Sequence, residues 1–565
     1  MDDTINWDVL SEVEKLKYDS NYLRGTLLES LADPITWAIS PGDTQIPKFH
    51  GMYQQWDRDI DKERKSQKLE PAFSFLIRVR VPGGVVTPEQ WLTMDSLADK
   101  YAIGTLKITT RQTFQLHGVL KKNLKTTLQS INKSLLDTIS ACGDVNRNVM
   151  SHANPAESPF YPEVIEMAKN IGNHLLPKTR AYHEIWLDEK LVADSKTEEP
   201  IYGDRYLPRK FKIAVVIPPN NDCDVFSQDL GFVAIVNDNK IVGYNIVIGG
   251  GLGSTFGLHE TYPRLGTLIG SCTPEQVIDV AEKVVMVQRD NGDRQNRKLA
   301  RFKYTIDRNG VDWVKAEIEK YLGYKLLAEV PVKFERNGDS YGWKKGTDNK
   351  WHLTYFVEGG RVRDLENRKM KTAFREIATI TDGNFILTGN QNVIIAGVSD
   401  SVKKKVDAIL KLHNVSPTEI SGLRKNSISC VALPTCPLAF AEAERYLPDL
   451  ISKIDIILNE FGLSKEEIVI RMTGCPNGCG RPYLAEIGLI GKSPGYYNLY
   501  LGGSFEGTRL NNLYKETIQE DEILKELHTV IKNFAENRLE NEHFGDFTIR
   551  QGYVAEIKEG KEFRH

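Results

Sequence analysis

Two stretches of this 565-residue chain repeat each other, and that repeat narrows the fold more than any single element does. Gly104-TLKITTRQTFQLHG and Gly383-NFILTGNQNVIIAG align without a gap, pairing Gly104 with Gly383, Thr109 with Thr388, Gln112 with Gln391 and Gly118 with Gly397. Each copy follows a strand-like segment ending in glycines (IRVRVPGG; LTYFVEGG) and then a helical segment (EQWLTMDSLADKY; TAFREIATI). Agreement in order and spacing marks a duplicated unit. Two strand-helix-strand units predict an α+β chain of mixed α/β character, with a pseudo-two-fold core and an active site in the cleft between halves.

Four cysteines cluster toward the C-terminal end, Cys430 and Cys436 as C-x5-C and Cys475 and Cys479 as C-x3-C. Four thiolates are the ligand set of an iron-sulfur cluster. Zinc is the nearest competitor, although its paired ligands favour spacers of about two to four residues. Four buried structural cysteines are the plainer alternative. Pro437 and Pro476, each directly after a cysteine, remove an N–H and fix φ where the chain must turn around a bulky core. Gly474, Gly478 and Gly480 allow close approach, positive φ and N–H groups aimed at sulfur. The other cysteines, Cys142, Cys223 and Cys272, show no pairing pattern and read as reduced, partly buried thiols, which suits a cytoplasmic protein.

With 73 basic and 76 acidic residues the net charge is -3, so no global field favours nucleic acid or an anionic membrane. The first residues lack the basic start and apolar core of a signal peptide, and no run is apolar for long enough to span a bilayer. Any anion site must be local. Read as one strand, residues 106 to 117 put Lys107, Thr109, Arg111, Thr113, Gln115 and His117 on one face, a ladder of donors opposite an apolar face. By the same alternation Arg78 and Arg80 share a face, as do Lys210 and Lys212, and Arg147 lies in VNRNV. The glycine run GGGLGSTFG at 249 to 257 does not open a helix, so it reads as backbone passing close to a large cofactor rather than as a dinucleotide site.

The cysteine segments CVALPTCPLAFAEAERYLP and RMTGCPNGCGRPYLAEIGLIGKSPGYYNLYLGG resemble those of the sulfite and nitrite reductases that couple a 4Fe-4S cluster to siroheme. NYLRGTLLESL, KFHGMYQQWDRDI, TTRQTFQLHGVLKKN, VNRNVM, YLPRKFK and GDFTIRQG extend the resemblance over nearly the whole chain. Within that family it is most similar to the hemoprotein component of the bacterial NADPH-dependent assimilatory enzymes. The resemblance implies a three-domain enzyme with a ferredoxin-like repeated core, reducing sulfite to sulfide for cysteine biosynthesis. It implies that Cys430, Cys436, Cys475 and Cys479 hold the cluster and that Cys479 also bridges to the siroheme. Arg78, Arg147, Lys210 and Lys212 become the sulfite pocket. Arg80 falls outside that set and reads as structural. Lys107, Arg111, Gln115 and His117 become candidates for the siroheme carboxylates, with Lys107 standing where the family usually has arginine and unable to make its bidentate fork.

On this reading residues 1-70 form an N-terminal extension wrapping the core, 71-141 and 341-417 the two half-repeats, 142-340 an inserted siroheme- and substrate-binding domain, and 418-565 the cluster domain. No flavin or dinucleotide fingerprint is present, and a hydride donor such as NADPH needs a flavin to feed single electrons to a cluster. The resemblance therefore implies a hetero-oligomer with a flavoprotein carrying FAD and FMN, and the extension is the candidate docking surface. A ferredoxin-dependent sulfite or nitrite reductase is the alternative.

Overall fold

The computed structural model describes residues 6–189, 199–415 and 420–563; the boundary expected at 417 and 418 lies outside the described residues. The first half-repeat builds a five-stranded sheet in the order Met52–Trp56, Phe73–Val79, Phe114–Val119, Leu106–Ile108, Arg361–Val362. The second runs Gly342–Lys345, Trp351–Tyr355, Val393–Val398, Asn384–Leu387, Val85–Val86. Each sheet therefore ends on a short strand lent by the other half, with Arg361 opposite Lys107 and Val86 opposite Phe385. Glycine makes the exchange possible. A Cβ on Gly84 (φ +77°) would meet the Leu387 carbonyl at 2.5 Å, and one on Gly360 (φ +68°) the Ile108 carbonyl at 2.2 Å.

The paired helices Pro88–Tyr101 and Met370–Ile380 cover this core. Thr87 opens the first, its hydroxyl accepting from Gln90 N while the Gln90 side chain returns to the Thr87 N–H, with Pro88 in the first turn. Its fully buried Trp91 stacks on Phe385 at 4.4 Å and meets Phe374 edge-on at 5.7 Å, so one half's helix is fastened by the other half's aromatics.

Residues 106 to 117 are not one strand but a tight antiparallel hairpin, Lys107 lying opposite Gln115. The cause is Thr109, whose hydroxyl accepts from Arg111 N at 3.2 Å and Thr113 N at 3.3 Å, with Gln112 at φ +54°. Thr388 does the same for Asn390 N and Asn392 N, with Gln391 at φ +70°. The repeated threonine and glutamine are the chemistry of this turn.

The duplication runs further than its sequence signal. Met150–Ser151, Ile213–Val216, Leu230–Asn237, Lys240–Ile248 and Thr267–Cys272 form a sheet whose first three strands are parallel and last two antiparallel. Ser427–Ser429, Ile470–Thr473, Ile487–Ser493, Tyr496–Leu501 and Asn512–Ile518 repeat that topology. Here the helix Leu447–Glu460 does not extend back over the alanine-rich stretch before it, because Phe440 N and Ala441 N both donate to the Gly474 carbonyl at 2.7 and 3.2 Å.

The N-terminal region is more than a wrap. Leu23, Leu27, Ile46 and Phe49 are buried in the main core, Met52–Trp56 is an edge strand, and the buried Lys17 pairs with Glu14 and donates to the Leu207 carbonyl at 2.7 Å. Among the described residues no helix is long and apolar enough to cross a membrane.

Candidate functional site: four thiols facing a cationic cleft

Ser427–Ser429 and Ile470–Thr473 are adjacent parallel strands, so their C-terminal ends deliver Cys430 and the loop carrying Cys475 and Cys479 to the same sheet edge. Gly474 N donates to Cys430 Sγ and Asn477 Nδ2 to Cys475 Sγ, each at 3.4 Å. Close packing dictates the glycines: a Cβ on Gly474 would meet the Ala441 carbonyl at 2.5 Å, while of the three only Gly478 takes positive φ, at +64°. Arg58, from the N-terminal region, donates to the Cys436 and Ala439 carbonyls at 3.1 and 2.6 Å and pins the first loop.

The four sulfurs feel one another. Burial, then Cys479 and Cys475, raises the Cys430 pKa; burial, then Cys479, raises that of Cys436 and pushes Cys475 up to about 12. Such thiols become thiolates when a positively charged centre binds them. Among the described residues no three His, Cys, Asp or Glu side chains close on a point as one metal ion requires. A polynuclear cluster, which spreads its thiolates over several irons, fits this donor set. Cys475 is buried and Cys430 and Cys436 partly so; Cys479 is exposed.

Across from Cys479 stand the cations. Asn146 bridges to Phe211, Arg147 N donates to the Phe211 carbonyl at 2.9 Å, and Phe211 is fully buried. Strand alternation then turns its neighbours Lys210 and Lys212 together to the opposite side. Burial, then Arg209 and Arg301, lowers Lys210 to about 7; burial, then Lys210 itself, drives Lys212 well below the usual lysine range. Among the described residues neither ammonium has an ion-pair or hydrogen-bond partner. Both lysines and Arg78 lie within electrostatic reach of the Cys479 sulfur. Arg78 donates through Nη1 to Cys142 Sγ at 3.2 Å and lies 5.9 Å from the Tyr53 ring centroid; Arg147 donates through Nε to the Gly143 carbonyl at 2.8 Å. Arg80 instead pairs with Asp137 at 2.8 Å through Nε.

The hairpin residues fall elsewhere. Lys107 is buried, and its ammonium is taken by Glu444 at 2.6 Å and by the Gly359 carbonyl, so it is not free to hold a cofactor acid. Arg111 spends Nη1 and Nη2 on Gln228, at 2.8 Å, and on the Asn148 and Ile213 carbonyls, leaving Nε buried without a partner among the described residues. Gln115 and His117 are buried beside Arg78. The glycine run packs on the cluster loop, with Ser254 N donating to the Pro476 carbonyl at 3.0 Å and Gly253 against Asn477. Sequence reasoning passed over Arg481, Asp224, Glu444 and Tyr53, and read Cys142, here the acceptor for Arg78, only as a reduced thiol. Arg481, directly after CPNGCG, and Tyr53, within KFHGMYQQ, stood inside motifs already singled out.

The profile described as nitrite/sulfite reductase ferredoxin-like half domain matches residues 68–134 and again 344–413, on the two halves of the core. That of the nitrite and sulphite reductase 4Fe-4S domain matches 166–326, short of the four clustered cysteines. Sulfite reductase (NADPH) hemoprotein beta-component of Oceanobacillus iheyensis is 57% identical over 98% of this chain and 96% of its own length. The chain belongs to the nitrite and sulphite reductase family. The protein of the same description from Anoxybacillus flavithermus is 58% identical over 98% of the chain and 97% of its own. The structure of the Mycobacterium tuberculosis NirA protein, at 22% identity, superposes with a TM-score of 0.78 over 96% of both chains, so the α+β fold of this reductase is shared at that distance.

Proposed function

We propose that this chain is the hemoprotein subunit of an assimilatory sulfite reductase, converting sulfite to sulfide by six electrons for cysteine biosynthesis. The observation that carries the reading is that Arg78, Lys210 and Lys212, from two separate segments, all lie within electrostatic reach of Cys479, the exposed thiol among the four. Cys430, Cys436, Cys475 and Cys479 would hold a 4Fe-4S cluster, with Cys479 shared with siroheme. When bound, that pair of groups supplies stored electrons and an open iron position for the substrate sulfur.

The protein supplies anion binding and protons. Each cation about 4 Å from the substrate contributes on the order of 4 kcal/mol at an effective dielectric near 20, and several together offset desolvation of sulfite. Arg78 and Arg147, always charged, bind and polarise its oxygens. Lys210, poised near neutrality, gives a proton as an oxygen leaves, with Lys212, whose ammonium burial and Lys210 disfavour, beside it.

Electrons come, on this proposal, from an FAD/FMN flavoprotein. Leu28, Ile35 and Trp37 are exposed apolar side chains of the N-terminal region and support it as the docking surface. All seven cysteines are free, which supports a reducing cytoplasm. The test is direct. The purified chain should show siroheme absorption, reduce sulfite with an artificial one-electron donor, and stay inert with NADPH until the flavoprotein is added. Turnover with reduced ferredoxin but not the flavoprotein would select the ferredoxin-linked reading.

A further inference from the structure

Gln115 sits directly across the sheet from Arg78, on the neighbouring strand. With the carboxamide assigned the orientation that satisfies both of its ends, its oxygen accepts from Arg78 Nε at 2.8 Å and from Nη2, and its amide nitrogen donates to His117 Nε2 at 3.2 Å. The reverse amide orientation would set two donors against each other, an NH2 against a guanidinium. Both side chains are buried, Gln115 at 4% exposure and His117 at 1%. Lys107, the other cross-strand neighbour of Gln115, does not compete for that oxygen because Glu444 and Gly359 hold it.

We propose that Gln115 is a positioning residue for Arg78 and that His117 locks the amide that does the positioning. The proposal rests on the reading of Arg78 as a sulfite ligand. With Nε and Nη2 held by Gln115 and Nη1 held by Cys142, one N–H remains on each terminal nitrogen, two donors for the oxygens of an anion. His117 can serve as the lock only as an acceptor at Nε2, with its proton on Nδ1. Burial, then Arg361, keeps it neutral by holding its pKa well below the usual histidine value.

The test uses the holoenzyme with an artificial one-electron donor. Gln115→Leu should raise the sulfite KM about tenfold with a smaller change in kcat, as expected for lost ground-state anchoring. Gln115→Glu, which keeps acceptor oxygens toward Arg78, should recover most of that loss. His117→Phe should raise KM by a smaller factor, about threefold. Siroheme absorption and iron content should be unchanged in all three, and the sulfite-induced rise in thermal midpoint should shrink in Gln115→Leu. In the Arg78→Met background Gln115→Leu should add nothing further. An altered siroheme spectrum would make Gln115 a cofactor-binding residue and overturn the proposal, as would full additivity with Arg78→Met or an unchanged KM. If Gln115→Leu does not fold, His117→Phe and Gln115→Glu decide by the same KM and double-mutant readouts. If Arg78→Met alone leaves the sulfite KM unchanged, the assignment of Arg78 as a sulfite ligand is what fails.

Discussion

The Asp224 carboxylate and the Arg481 guanidinium form a buried ion pair where every part of the site-bearing structure meets. Asp224 lies between the strands Ile213–Val216 and Leu230–Asn237 and also takes Arg471 at 2.7 Å. Arg481, two residues beyond Cys479, reaches the Thr110 carbonyl of the first hairpin at 2.9 Å and the Gly389 carbonyl of the second at 2.8 Å. Thr110 in turn donates to the Cys479 carbonyl at 3.1 Å. The cluster loop is thereby referenced to both repeats at once.

Breaking that pair should unsettle the loop. Burial opposes ionisation of Asp224, and Arg471 and Arg481 outweigh it, holding the pKa below the usual range. Asp224→Ala leaves two buried guanidiniums uncompensated and should cost about 3–5 kcal/mol. Denaturant unfolding measures the loss, and iron retention should fall with it. A cost within about 0.5 kcal/mol, the scale of an ordinary surface change, would refute the role.

Glu444 should give the protein an acid-sensitive limb. Burial opposes its charge, but Lys107 and Arg361 bring its pKa down to about 2 from an ordinary 4.5. A depressed carboxyl contributes stability that is present above 4.5 and lost as pH falls toward 2, here on the order of 3 kcal/mol. Glu444→Gln should flatten the stability profile across that window, as thermal melts at successive pH values would show.

Lys210 should set the alkaline side of turnover. Its pKa of about 7 means that its proton is lost as pH rises through neutrality, so sulfite reduction should decline there. Lys210→Met should lower kcat about a hundredfold and remove that limb while the cofactors stay bound. A mutant with the same alkaline decline would exclude Lys210 as the titrating donor.

The two arginines of one strand edge should separate cleanly. Arg78→Met should lower kcat/KM for sulfite about a hundredfold. Arg80→Met loses the pair with Asp137 and the hydrogen bond to Asn173, and should change thermal stability rather than turnover. Equal effects on sulfite kinetics would show the pocket to be assigned to the wrong residues.

Cys479→Ser should abolish sulfite reduction and disturb siroheme absorption, since serine is a poor substitute for a soft thiolate. Cys272→Ser and Cys223→Ser should leave both intact. Cys142 no longer belongs with that neutral pair, because its sulfur accepts from Arg78. Normal siroheme absorption and activity in Cys479→Ser would end the bridging assignment.

Local chemistry was legible before any coordinates. The spacing of the cysteines, the duplicated Thr-x2-Gln turn and the alternation that sets Lys210 and Lys212 on one side of Phe211 are short-range properties, fixed by covalent geometry and side-chain type. Partner choice was not. Lys107 reads as a free cation in its own strand, and only the crossing of Gly359 and Glu444 from far along the chain consumes it. Gln115 and His117 read as cofactor ligands from their own strand, and only the pairing of strands sets Gln115 opposite Arg78. The exchange of end strands between the halves, and the meeting of Asp224 with Arg481, likewise depend on segments far apart in sequence being packed against one another. The sequence by itself determined which groups the site contains; the tertiary structure decided which of them satisfy each other and which remain for the substrate, because buried polar groups are paired by proximity in space.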